Sequence, residues 1–162
     1  MSKDFYQAYI LSNSGIITKI CRIYTNTQED FEDYFQEVCL QIWRSKENFR
    51  GECAWSTWVY RLTLNVCLAF NRKNKKNLIF LDNKVYYEIY EDYKGEFTNE
   101  SLRILNDGIK KLSKQNRTII LLYLEEKSYQ EIAEIIGLSK SNIGTRINRA
   151  KNQLKKILDG KI

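Results

Sequence analysis

Lys140, Ser141, Asn142, Thr145, Arg146, Asn148, Arg149 and Lys151 fall on the outer face of a helix that the apolar period places after Ser139. Carboxamides and guanidinium forks make paired hydrogen bonds to base edges, whereas ammonium and hydroxyl groups hold phosphates. A row of this composition is chemistry for a nucleic-acid groove. The same row also suits a merely solvated basic face, so the elements that must hold it decide its meaning.

Residues 128–154 read SYQEIAEIIGLSKSNIGTRINRAKNQL. Ile132, Ala133 and Ile136 put an apolar stripe on a first short helix, and Ile143, Ile147, Ala150 and Leu154 put one on a second. Two stripes must meet in one core. Gly137 stands where the chain leaves the first helix, which predicts a left-handed turn residue. Ser128 followed by Glu131 forms a capping box, and Ser139 caps the second helix. The segment is a helix-turn-helix, and nucleic acid is the partner it points to.

Charge agrees. The chain has 162 residues with formal net charge +6, and residues 102–162 hold 13 basic and 6 acidic side chains. Positive charge thus gathers around the motif, as phosphate neutralisation requires. Residues 80–101 hold 2 basic and 6 acidic side chains and form an acidic stretch. Cys21, Cys39, Cys53 and Cys67 have no close pair and the chain has no His, so four buried thiols in a reducing compartment are expected rather than a metal centre or a disulfide framework. Without His the commonest general base is missing, and an enzyme is not expected; nor are a cofactor or a small-molecule substrate. Apolar runs are short and the N-terminus lacks a leader pattern. The expectation is a cytoplasmic protein with no direct membrane insertion.

With no Pro and seven Gly, little punctuates the sequence, and the fold class read from it is all-α: two small helical domains and a linker. Residues 28–44 repeat apolar side chains at helical spacing (Phe31, Tyr34, Phe35, Val38, Cys39, Ile42, Trp43), with Thr27 as cap and an acidic and amide face opposite. Residues 54–73 place Trp55, Trp58, Val59, Leu62, Val66 and Phe70 inward. Helices over 4–24 (less regular), 100–111 and 114–126 complete the set, the last capped by Ser113. The domains are read as 1–76 and 100–162, with 77–99 an acidic, aromatic linker.

DFEDYFQEVCLQIW (30–43), NFRGE (48–52) and TWVYRLTLN (57–65) together resemble region 2 of the sigma-70 family of RNA polymerase sigma factors, and residues 112–158 resemble region 4. Two domains with only a short linker match the extracytoplasmic-function (ECF) subgroup. The resemblance implies a subunit that directs promoter-specific initiation by core RNA polymerase. It puts Asp33, Gln36 and Glu37 on the clamp helices of the polymerase's largest subunit. For the −10 element it implies Asn48, Phe49 and Arg50 in a base-capturing loop, with Arg61, Asn65, Arg72 and Lys73 along the following helix. At the −35 element it implies Asn142, Thr145, Arg146 and Arg149 at or near bases, and Lys140, Ser141 and Lys151 on phosphates. Promoter DNA and core polymerase are the implied partners, and an anti-sigma factor is a further one that the resemblance admits. Trp55 and Trp58 are read as core in preference to base-stacking groups. The chain departs from the family's usual pattern at Ser113 (often Pro), Gly144 (often Lys) and Ala69 (usually Asp). Two rival readings stay open: a dimeric helix-turn-helix regulator without polymerase docking, and a sigma-like protein that docks on polymerase without recognising DNA.

Overall fold

The structure is a computed structural model, and it describes residues 3–73 and 99–160, with side chains from 4–70 and 100–160. The linker 77–99 lies outside the described residues, except for the backbone of Asn99. Chain contacts divide the protein into two compact units, Met1–Asp82 and Asn83–Ile162. Every regular element among the described residues is helical.

Unit 1 begins with α1 (Lys3–Phe5), which runs through a π-helical turn, Tyr6–Ile10, and a 3-10 turn, Leu11–Asn13, into α2 (Ser14–Tyr24). The helix read over 4–24 is therefore present but wound unevenly, which is why its period looked irregular. α3 (Gln28–Ser45) follows, capped where expected: the backbone N–H of Asp30 donates to Thr27 Oγ1 at 3.0 Å. A 3-10 turn, Lys46–Asn48, and a short loop lead into α4 (Trp55–Lys73). α2, α3 and α4 pack on one another. Their common core holds Ile17, Ile20 and Cys21 from α2, Val38, Cys39 and Ile42 from α3, and Val59, Leu64 and Cys67 from α4.

The inward face of α4 differs from the one the sequence suggests. Val59, Tyr60, Thr63, Leu64 and Cys67 are buried, while Trp55, Trp58, Leu62, Val66 and Phe70 are half-buried along its edge. Apolar side chains on this helix cover more than one face, and packing between two helices picks the arc midway between them. Of the four thiols, Cys21, Cys39 and Cys67 are buried, but Cys53 is only half-buried. Cys67 and Cys21 touch at 3.9 Å between sulfurs. Burial, aided by Cys21, pushes the Cys39 thiol up to about 11, and Cys67 is also held high by its hydrogen bond with Cys21 and by burial.

Unit 2 comprises α5 (Asn99–Lys110), α6 (Lys114–Leu124), α7 (Tyr129–Ile136) and α8 (Lys140–Leu158). α5, α6 and α7 all pack on α8, which is the spine of the unit. Ile119, Leu122, Ile132, Ile143 and Ile147 are fully buried between them. Ile135 is buried and Ile136 half-buried, one position away from the stripe read in the sequence. α5 meets the end of α8 at Gly108, where a Cβ would come within 2.8 Å of Leu158 Cδ2, so a larger residue would make the Leu158 side chain shift.

Candidate nucleic-acid and polymerase interface

In unit 2 the local signals place the outer face of α8. The Ser128 hydroxyl accepts from the Glu131 backbone N–H at 3.2 Å, and Glu131 Oε2 accepts from the Ser128 backbone N–H at 2.8 Å, completing the capping box. These bonds to Ser128 hold the Glu131 carboxyl below its usual range. Gly137 closes α7 at φ 79°, with its N–H donating to the Ala133 carbonyl at 2.8 Å. α8 then starts at Ser139, whose hydroxyl accepts from Asn142 N–H. That fixed start leaves Lys140, Ser141, Asn142, Thr145, Asn148, Arg149 and Lys151 exposed and turns Ile143, Ile147 and Ala150 into the core.

Arg146 departs from its neighbours. It is half-buried; its Nε donates to Asn142 Oδ1 at 2.8 Å and its Nη1 to Gln115 Oε1 at 2.7 Å. Lys151 sits beside the Tyr123 ring, with its Nζ 5.1 Å from the ring centroid and 3.5 Å from the hydroxyl. At Gly144, where a Cβ would meet only the Tyr129 ring at 3.4 Å, the helix carries a shallow notch in place of a side chain.

Unit 1 presents a different surface. A cavity of about 610 Å³ opens between α3 and α4, lined by Glu37, Gln41 and Ser45 on one side and Trp58, Arg61, Leu62 and Asn65 on the other, with Asn48 at its rim. Three residues that the sequence ascribed to −10 recognition, Asn48, Arg61 and Asn65, therefore share one concavity. Glu37 also faces it, accepting from Gln41 Nε2 at 2.7 Å. Asp33 and Gln36 instead lie on the exposed face of α3. The three residues ascribed to polymerase docking thus divide between an open face and a cavity.

The loop after α3 is anchored by aromatic rings. Phe49 stands edge-on to Trp55 at 5.0 Å and tilted against Trp58 at 5.8 Å, and the two indoles lie 4.7 Å apart. Tyr9 meets Trp55 at 5.1 Å, which ties the N-terminal segment into the same cluster. Phe49 is therefore committed to holding the loop, while Arg50 beside it is exposed. Gly51, at φ 72°, bends the loop, and Arg61 Nη1 reaches Cys53 Sγ at 4.0 Å. Trp55 and Trp58 are half-buried cluster members rather than core, and Trp58 lines the cavity. The side chains of Arg72 and Lys73 lie outside the described residues.

Sequence reading missed Gln41, Ser45 and Gln115. Gln41 was visible as one more polar position on the acidic face, but its place in the wall of a cavity shared with α4 has no sequence signal. Gln115 is 31 positions from its partner and had none either. Among the described residues, no group of His, Cys, Asp and Glu could hold a metal ion, and no helix is long and apolar enough to cross a membrane.

Comparison with known proteins agrees with both halves. The family model for sigma-70 region 2 matches residues 10–77, and that for sigma-70, region 4 matches residues 102–154. The chain is 31% identical over 153 residues to the ECF RNA polymerase sigma-E factor of Haemophilus influenzae, covering 87% of this chain and 78% of the relative. It is 30% identical over 155 residues to the ECF RNA polymerase sigma factor SigW of Bacillus subtilis, covering 88% and 82%. The fold is shared with the sigma factor RpoE solved in complex with the anti-sigma factor NepR from Bartonella quintana, at TM-score 0.75 and 20% identity, covering 99% of this chain and 100% of that one. CnrH, solved with the cytosolic domain of CnrY, matches at TM-score 0.71 and 18% identity over 99% and 92%. The chain belongs to the sigma-70 family of RNA polymerase sigma factors, in its extracytoplasmic-function group.

Proposed function

We propose that this sigma factor divides its work between its units: unit 1 docks on core RNA polymerase and captures the melted −10 strand, while unit 2 reads the −35 duplex. A sigma factor directs promoter-specific transcription initiation, and its partners are core polymerase and promoter DNA. Asp33 and Gln36 offer a carboxylate and an amide on an open helix face, chemistry suited to the polymerase's clamp helices, with Glu37 at the edge of that contact. The single observation that carries the division is the cavity between α3 and α4. It gathers Asn48, Arg61 and Asn65 with Trp58, that is, hydrogen-bonding groups and an aromatic wall around a space large enough for an unstacked base. Arg50, Arg72 and Lys73 complete the strand contact, and Phe49 supports it from behind. A captured base offsets the cost of opening the duplex, about a few kcal/mol per base.

On unit 2, α8 enters the major groove. Asn142, Thr145, Arg146 and Arg149 lie nearest the base edges, and Lys140, Ser141 and Lys151 hold phosphates. The acidic stretch from Asp82 to Glu100 carries charge of nucleic-acid sign and occupies polymerase channels that later hold RNA. The protein acts in the cytoplasm with no catalytic residue of its own. Because RpoE was solved in complex with the anti-sigma factor NepR, an anti-sigma factor is a further proposed partner.

Adding the full chain to core polymerase and a promoter library in a run-off assay tests the whole reading. Sequence-selective initiation is the expected result. Binding to DNA as a dimer without any effect on polymerase would favour a conventional helix-turn-helix regulator. Polymerase binding without sequence selection would favour a docking protein.

A further inference from the structure

Arg146 is the one cation on the outer side of α8 whose guanidinium is held at two nitrogens, by Asn142 through Nε and by Gln115 through Nη1. The Asn142 contact is one helical turn long and local. Gln115 lies in the first turn of α6, so only the packing of α6 on α8 delivers that contact. A guanidinium is planar, with five donors in a rigid fork, and two acceptors from two helices fix the plane's direction while both Nη2 hydrogens remain uncommitted. Both acceptors are carboxamides. They orient the cation without neutralising it, and its whole charge stays available to DNA. A carboxylate at either place would hold the fork equally well but cancel that charge.

We infer that Gln115 is a positioning residue for base reading: it sets the guanidinium of Arg146 in advance, so that little freedom is lost when the fork meets a base edge. This rests on the reading of Arg146 as a base contact. Gln115 itself is exposed at the surface, and its own Nε2 hydrogens are not used by Arg146, whose bond is to Oε1.

The test uses the full chain with core polymerase and a pool of duplexes randomised across the −35 region, with bound sequences counted. Arg146→Ala should erase the preference at one base pair, a loss of about 5- to 150-fold. Gln115→Ala should weaken the preference at that same base pair by about two- to tenfold and have no further effect there once Arg146 is Ala. Its melting temperature should be unchanged. Gln115→Glu should keep the preference pattern, because an acceptor oxygen remains, yet bind all sequences less tightly and with a shallower salt dependence.

Undiminished preference in Gln115→Ala, where Arg146→Ala does lose it, overturns the positioning role alone. So does a loss spread evenly over all sequences that persists in the Arg146→Ala background, since Gln115 would then be a phosphate contact. If Arg146→Ala alters no base preference, the reading of Arg146 fails and the inference with it.

Discussion

The two units build their surfaces by opposite means. Unit 2 carries the side chains proposed to contact DNA on the convex face of a single helix, α8, whose start is fixed by Ser139 and whose direction is fixed by Gly137. Unit 1 makes a concavity between two helices, and no one segment contains it: Glu37 and Gln41 come from α3, Arg61 and Asn65 from α4, and Asn48 from the turn between them. A convex site is as good as its helix. A concave site is as good as the packing that holds its walls apart.

The sharpest way to break this comparison is at α3. Asp33→Lys with Gln36→Lys should lower association with core polymerase at least about thirtyfold, from the 2–5 kcal/mol that a charged contact forfeits on reversal, while leaving DNA binding by unit 2 intact. Surface plasmon resonance on immobilised core polymerase measures it. Glu37→Gln, by contrast, should affect opening of the −10 region more than docking, because Glu37 faces the cavity. Equal docking losses from both variants would merge the two surfaces into one.

Next in size is the core of unit 2. Ile147 is fully buried under the outer face of α8, and Ile147→Ala should cost about 2–5 kcal/mol. All three tryptophans, Trp43, Trp55 and Trp58, lie in unit 1. Loss of helical circular dichroism should therefore precede any change in tryptophan emission on heating. Simultaneous loss by both probes would mean that the units unfold together.

A smaller effect is expected from the start of α7. Ser128→Ala removes the hydroxyl half of the capping box and should cost about 1 kcal/mol at neutral pH by chemical denaturation. The Glu131 carboxyl is held low by Ser128, so its contribution is present above the ordinary carboxylate value and is lost as pH falls through the depressed one. Acid should thus erode the difference between the wild type and a Glu131→Gln variant.

Alkali also distinguishes the units. Every cysteine is in unit 1, and Cys39 is raised from 9.0 to about 11 by burial. A raised thiol favours the folded state while it stays neutral. That stability is complete below about 9 and fades as pH rises towards about 11. The unit 1 transition, followed by tryptophan emission, should fall over that window, and less so in Cys39→Ala. An identical slope in the variant would remove Cys39 as the cause.

Amino-acid order alone determined where most of the longer helices lie and where four of them start. Thr27, Ser113, Ser128 and Ser139 all cap as read, because a cap is a contact between residues three apart. It also determined the outer face of α8, since one stripe of Ile143, Ile147 and Ala150 leaves a single choice of which side faces solvent. Tertiary structure decided the rest. α4 is apolar around most of its circumference, and only its contacts with α2 and α3 chose Val59, Leu64 and Cys67 for the core and left Trp58, Leu62 and Val66 for the cavity. The hold of Gln115 on Arg146 has the same origin: periodicity describes one helix at a time, and a hydrogen bond between two helices exists only once they pack.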